Sequence, residues 1–224
     1  LVIVDGPMPE LPSAPAFIYL DRRRYADDEE AKIPQRVAAH VIGEHCRAVV
    51  STYRVGDTNP VLESVWLPQA TSIGANTFRV SRNLVHISLP LVESIDCQVF
   101  YCCRALRSVS LGARNFGSDV FAHCTQMRTV SLPNARLVSD HLFHNCTNLE
   151  TVSVPVAARV CIGGFGYCSS LVTISLPFVG RVDDRAFEYC GNLETVLLPM
   201  VDSVENNAFD ACRRLSTDKI FAPD

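Results

Sequence analysis

Apolar residues recur along this chain in an arrangement that neither one helix nor one strand explains. In LETVLLP (193–199), Leu193 leads a stretch in which Val196 and Leu198 fall on one side of an extended backbone. Pro199 has no N–H to donate and ends that strand. VDSVENNAF then gives a second extended stretch with Val201 and Val204 facing inward, and Phe209 and Cys212, three apart, predict a single helical turn with both on one face. The same order returns every 22 residues, led by Leu62, Leu84, Leu106, Met127, Leu149, Leu171 and Leu193, and Leu215 opens an eighth unit. The third unit reads Leu111-Gly112 in place of the leucine–proline pair and runs one residue short.

Each unit points about six apolar side chains at a common axis, worth on the order of 10 kcal/mol gross. Ordering some twenty residues costs at least as much, at roughly 1–2 kcal/mol each. One unit therefore cannot stand alone, and the units must stack into a single elongated body.

The pattern L-x-x-[IV]-x-L-P-x-x-[VA]-x-x-[IV]-x-x-x-x-F-x-x-C, seen cleanly in ISLPFVGRVDDRAFEYC (174–190), resembles the BspA-like, or treponemal-type, leucine-rich repeats from Leu62 to Cys212. The resemblance implies a leucine-rich-repeat solenoid, mainly β with short helical turns and right-handed. It implies protein binding, often on microbial cell surfaces, and no catalytic residues. The alanine usual before the phenylalanine is present as Ala186 and Ala208 but is Thr77, Val99, Val120, Leu142 and Gly164 elsewhere.

Six cysteines (Cys103, Cys124, Cys146, Cys168, Cys190 and Cys212) follow the repeated phenylalanine at the same offset and predict one interior column. Parallel Cβ vectors on stacked coils hold neighbouring β-carbons near ~4.8 Å, beyond the separation a disulfide prefers. Zinc needs ligands converging from several directions, not a line. Ser81 takes the cysteine's place in the first unit, as a small filler with a hydrogen for a backbone carbonyl would. Cys46, Cys97, Cys102 and Cys161 fall elsewhere, and the chain has no C-x-x-C. Cysteine usage thus favours an intracellular reducing compartment, with a cell surface as the alternative; the sequon Asn145-Cys146-Thr147 argues weakly for the latter.

A net charge of −4 excludes the basic field of a phosphate-backbone binder, so no nucleic-acid partner is expected. No apolar run is long enough to insert in a membrane. His123, His141 and His144 fall near one edge, with Cys102 at the position of His123 one coil earlier, but no closed spacing motif makes them a metal site. Gly163, Gly164 and Gly166 read as a tight turn. The expectation is a non-enzymatic module with no cofactor. The alternatives are a microbial adhesin or antigen, a metal-dependent enzyme at the histidine edge, or a cysteine enzyme.

The outer face of the first strand carries Ser64, His86, Ser108, Thr129, Thr151, Thr173 and Thr195, then Trp66, four serines from Ser110 to Ser175 along with Ser88, and Leu197. Beside it run Arg107 and Arg128 between Glu63, Glu150 and Glu194. Hydroxyls suit a sheet, and they also make a flat, adaptable surface. A protein partner docking there is expected to use Trp66, His86, Arg107, Arg128, Glu150, Glu194 and Leu197, because interface energy concentrates in Trp, Tyr and Arg.

Residues 1–33 read as a linker or tail with one short strand in FIYL, and 34–61 as a cap region. In the cap, PQRVAAHVIGEHCRAVVS (34–51) fits an amphipathic helix with Val37, Ala38, Val41, Ile42, Cys46 and Val49 on its apolar stripe. The seven repeats occupy 62–214, and 215–224 begins an eighth. Leu1 in place of methionine and the uncapped last unit create the expectation that the protein extends beyond this sequence, or that another subunit covers that end.

Overall fold

A computed structural model describes residues 61–216 together with the strands Phe17–Tyr19, Ala31–Lys32, His40–Ile42, Ala48–Val50 and Ile220–Phe221. Every repeat becomes one coil of a β-solenoid. Its leading residues form a three-residue strand, such as Thr129–Ser131, Thr151–Ser153 or Thr173–Ser175. A two-residue strand such as Arg159–Val160 or Arg181–Val182 follows. Coils stack with parallel strands in a register that advances by one repeat, Val130 opposite Val109 and Val152, and Val160 opposite Val182. The strands stack in two columns, called here the first and second sheet, which are broken along the axis into five hydrogen-bonded groups among the described residues. Each coil is itself the crossover that a parallel pair requires. Leading residues such as Leu84, Leu106, Met127 and Leu149 are wholly buried between the sheets.

The segment around each phenylalanine corrects the expected helical turn. No helix occurs among the described residues; this corner is a chain of tight turns. In the fourth coil Leu142, His144 and Cys146 donate N–H to the carbonyls three residues back, at 3.1 Å each. The alternate residues His141, Phe143 and Asn145 donate instead to Ile162, Gly164 and Gly166 of the next coil, at 2.8, 2.9 and 2.7 Å. A helix would spend all these N–H groups within its own coil. Dividing them requires a left-handed residue two positions either side of the phenylalanine, here His141 (φ 54°) and Asn145 (φ 57°). Phe143 and Cys146 still share the inward face, as the three-residue spacing predicts, and both are fully buried.

Stacking this corner makes two interior ladders. Phenylalanine rings from Phe78 to Phe209 lie face to face, with successive centroids such as 5.6 Å for Phe100–Phe121 and 5.7 Å for Phe121–Phe143, both at 5°. Alongside, each cysteine Sγ donates to the phenylalanine carbonyl of the preceding coil: Cys124 to Phe100, Cys146 to Phe121 and Cys168 to Phe143, all at 3.2 Å. The column is composed of free thiols. Burial drives up the pKa values of the inner thiols, that of Cys146 to about 12 and those of Cys124 and Cys168 well above the ordinary thiol range. At the C-terminal end the bond between the Cys190 and Cys212 thiols raises Cys190 and lowers Cys212. Thiolates are thereby suppressed from Cys103 to Cys190, and that part of the column is chemically inert.

The short third unit loses its residue between Leu111 and Ala113, where the turn after the first strand is cut short, and farther on its Gly117 lies tight against the preceding coil. A Cβ there would lie 2.5 Å from the backbone nitrogen of Cys97 in the coil before, so only glycine permits that approach.

Before the repeats, the helix expected over 34–51 is corrected in its described parts, since His40–Ile42 and Ala48–Val50 are strands. They stack beneath the first repeat, with Val41 opposite Val65 and Val49 opposite Ile73. The valines and isoleucine that mark one face of a helix also suit two short β-strands by propensity, and an existing sheet edge decides between them. Phe17–Tyr19, within the expected FIYL strand, pairs with His40–Ile42. At the other end Ile220–Phe221 pairs with Val196–Leu197. In the second sheet Val204 is 42% exposed where the stacked Val160 and Val182 are wholly buried.

Two outcomes test this core. Phe143→Ala removes a rung from the ring ladder and is expected to lower unfolding free energy by about 3–5 kcal/mol in urea titration. Thiol titration of native protein should leave Cys103, Cys124, Cys146, Cys168 and Cys190 unreactive until denaturant is added.

Candidate functional site

The hydroxyl-bearing residues of the first sheet point outward, because strand alternation sends the valine or isoleucine between them into the core. Trp66 is 41% exposed in this face, and His86, Arg107, Arg128 and Glu150 are exposed as well. Glu194 and Leu197 are partly covered, Glu194 receiving the Arg214 guanidinium at 3.5 Å. The solenoid brings Arg107 and Arg128 together on adjacent coils, the Arg128 N–H donating to the Arg107 carbonyl at 2.7 Å. Arg128 also lies 3.8 Å from Glu150. Trp66 and Leu197 stand at opposite ends of the sheet and do not meet.

A second line of side chains, of which sequence reasoning assembled only His123, His141 and His144, runs along the phenylalanine corner. The Arg79 guanidinium sits 4.3 Å over the Tyr101 ring and also meets the Gln98 amide oxygen. From there the rings pass through Tyr101–His123 (5.1 Å), His123–His144 (5.9 Å), His144–Tyr167 (5.0 Å) and Tyr167–Tyr189 (4.7 Å). His141 meets His144 edge-on at 5.2 Å. The signal was an aromatic or histidine one or two residues after the phenylalanine; it is blurred because the ladder switches between those two positions from coil to coil.

Gly163 and Gly166, expected to serve a tight turn, have another reason to be glycine. Other coils take asparagine, aspartate, histidine or arginine at the Gly163 position with positive φ, so the turn itself does not demand glycine. A Cβ on Gly163 would fall on the His141 ring, and one on Gly166 would lie 3.0 Å from His144 Nδ1. The two glycines seat the imidazoles of the coil above. Asn145 Nδ2 donates to His123 Nδ1 at 2.8 Å, which leaves the proton of the neutral ring on Nε2. Nδ1 of His141 and of His144 is buried without a hydrogen-bond partner among the described residues. Burial lowers the His144 pKa, and His141 and His123 lower it further against the opposing pull of Asp119. Burial and Arg104 lower that of His123, again against Asp119. Among the described residues no three His, Cys, Asp or Glu side chains converge as a metal site.

On the second sheet Asp183, 4% exposed, is the hub of an ion cluster. Arg159 donates to it at 2.8 and 3.0 Å and Arg181 at 2.8 Å, while Arg181 also reaches Glu205 at 2.9 Å. Burial raises the Asp183 pKa, but the bonds from Arg159 and Arg181 together outweigh it and hold the carboxyl below its usual range.

These shifts act in separate pH windows. A histidine whose folded pKa is depressed takes up its proton more readily when unfolded, so its contribution is complete above the unfolded value of 6.5 and lost as pH falls through the folded one. The urea midpoint of the wild type should therefore drop on acidification below 6.5, and His144→Gln should reduce that drop. Asp183 contributes above its unfolded value of 3.8 and loses that contribution as pH falls further. At neutral pH Asp183→Asn is expected to cost about 2 kcal/mol, read from the same titrations.

Comparison with known proteins agrees with the coil geometry. A model of the BspA type Leucine rich repeat region matches in six copies, over residues 58–161 and 138–222. A leucine-rich repeat protein from Eubacterium ventriosum superposes with a TM-score of 0.63 at 15% identity, over 87% of this chain and 64% of that one. The chain thus spans under two thirds of that protein's length, and the likeness concerns fold alone. A Bacteroides ovatus leucine-rich repeat protein gives 0.46 at 17% identity, over 83% of this chain and 77% of that one. The T. pallidum Leucine Rich Repeat protein gives 0.46 at 21%, over 87% and 81%. No curated protein sequence matches. With three quarters of its length inside the repeat match and each repeat forming one coil, the chain belongs to the BspA-type leucine-rich repeat family.

Proposed function

We propose that this chain is a non-enzymatic protein-interaction module that docks a protein partner across the outer face of its first sheet. Leucine-rich repeats generally serve as protein-interaction modules, and nothing in the comparisons points to catalysis. The observation that carries the choice of face is its construction. Successive in-register strands hold short hydroxyl side chains level with one another, so a partner meets a flat, wettable surface from which the larger Trp66 and the Arg107–Arg128 pair stand out. Short hydroxyls lose little side-chain entropy when covered, and they satisfy either donors or acceptors. Tryptophan and arginine supply the anchoring energy. His86, Glu150, Glu194 and Leu197 complete the contact zone, with the acids and the leucine toward its C-terminal end.

Affinity capture with immobilised chain, followed by mass spectrometry, identifies partners. For a partner so found, Trp66→Ala and Arg128→Glu should each weaken binding by ~10-fold or more, while Arg136→Glu, away from this face, should not. Unchanged binding by both face variants would move the interface elsewhere.

A further inference from the structure

The arginines of this solenoid are not used alike. In the C-terminal coils, among the described residues, Arg159, Arg181, Arg185 and Arg214, though not Arg213, sit within ion-pair distance of carboxylates of the chain itself, namely Asp183, Asp184, Glu188, Glu194 or Glu205. In the first to fourth coils, Arg82, Arg104 and Arg107, like Arg114 and Arg136 farther round the coil, are exposed and form no ion pair among the described residues. Arg128 has only the loose 3.8 Å contact with Glu150, between side chains 63% and 54% exposed. Such a pair holds little energy and is readily displaced.

Stacking draws these four together. Arg82 and Arg104 occupy the turn leading into the first-sheet strand on successive coils, where the Ala105 N–H donates to the Arg82 carbonyl at 3.1 Å. Arg107 and Arg128 stand at the strand entrance on successive coils, and Arg104 and Arg107 are three residues apart on one coil. The group spans about three coils, on the order of 10 Å along the axis, or three to four residues of an extended segment. No lysine occurs from 61 to 216, so the fixed positive charges there are all arginines. A guanidinium presents paired donors that match a carboxylate, which a lysine cannot do.

Carboxylates of the chain bracket the patch. Glu63 lies two coils before Arg107 in the same column, and Glu150 one coil after Arg128. A phosphate backbone continuing along the face would run into both. A short acidic run with basic residues on either side would meet opposite charge throughout.

We propose that Arg82, Arg104, Arg107 and Arg128 form the docking site for a short acidic segment of the partner protein, with three or four carboxylates flanked by basic residues that meet Glu63 and Glu150. This rests on the sheet-face reading above and names the chemistry of what binds there. The exposed arginines steer the acidic segment to the N-terminal part of the face, and the flanking acids set its register.

The test is fluorescence anisotropy with a labelled peptide carrying a central Glu-Asp-Glu-Asp run between lysines. The controls are a charge-inverted peptide of central lysines between acids, and a single-stranded RNA of equal length. The acidic-centred peptide should bind more tightly than either control and should weaken on raising salt to ~0.3 M. Arg104→Glu with Arg107→Glu should reduce its affinity by ~10-fold or more, whereas Arg114→Glu with Arg136→Glu, an equal charge change away from the patch, should not. The proposal is overturned if the two peptides bind alike, if both double variants lose affinity equally, or if the RNA binds as tightly and is lost with the Arg104/Arg107 pair. If the peptide fails while Trp66→Ala still weakens a captured partner, the acidic chemistry falls and the sheet face stands.

Discussion

Everything in this molecule depends on how the backbone hydrogen bonds are divided at the phenylalanine corner. Half the N–H groups close tight turns within the coil and half reach the next coil, so the corner is as strongly tied along the axis as the two sheets are. The phenylalanine carbonyl is shared in the same way. Phe121, for instance, accepts the Cys124 N–H at 3.2 Å from its own coil and the Cys146 thiol at 3.2 Å from the next. A residue at that position must be small, buried and able to give one hydrogen, and cysteine meets all three conditions. The ring ladder follows from the same geometry, because identical coils in register place identical side chains one coil spacing apart.

That division also decides where function can reside. The six repeated cysteines are spent on the interior, where burial suppresses the thiolate of inner members such as Cys146. The core positions are held by packing, and the outward columns are free to vary from coil to coil. Three distinct surfaces arise from one repeat: hydroxyls with Trp66 and arginines on the first sheet, an ion cluster around Asp183 on the second, and an aromatic and histidine edge at the corner. The Asp183 cluster satisfies itself. Arg82, Arg104 and Arg107 have no such carboxylate partner among the described residues, and that difference separates a structural use of charge from an available one.

The histidine edge shows how a local change in one coil serves its neighbour. Gly163 and Gly166 leave room that the rings of His141 and His144 occupy. The cost of this packing is a pair of buried ring nitrogens without partners and imidazoles held toward their neutral form. Acid therefore acts on this edge before it acts on the carboxylates of the second sheet.

The period, the inward leucines, valines and phenylalanines, the buried cysteine column and the hydroxyl face were all legible from residues 62–214, because each depends on spacing within one unit and repetition of that unit. The strands at 40–42 and 48–50 were not, since their apolar pattern satisfies helix and strand equally and only a sheet edge offering Val65 and Ile73 as neighbours selects the strand. Helical turns were expected at the phenylalanine corner for a similar reason: a three-residue spacing puts two side chains on one face in either conformation. The joining of His123 and His144 to the tyrosines, the seating of the imidazoles on glycine and the addition of Arg82 and Arg104 to the Arg107–Arg128 pair belong to the tertiary structure alone. They join residues a full coil apart in the chain, often at unlike positions of the repeat, and sequence periodicity carries no record of contacts that break its own register.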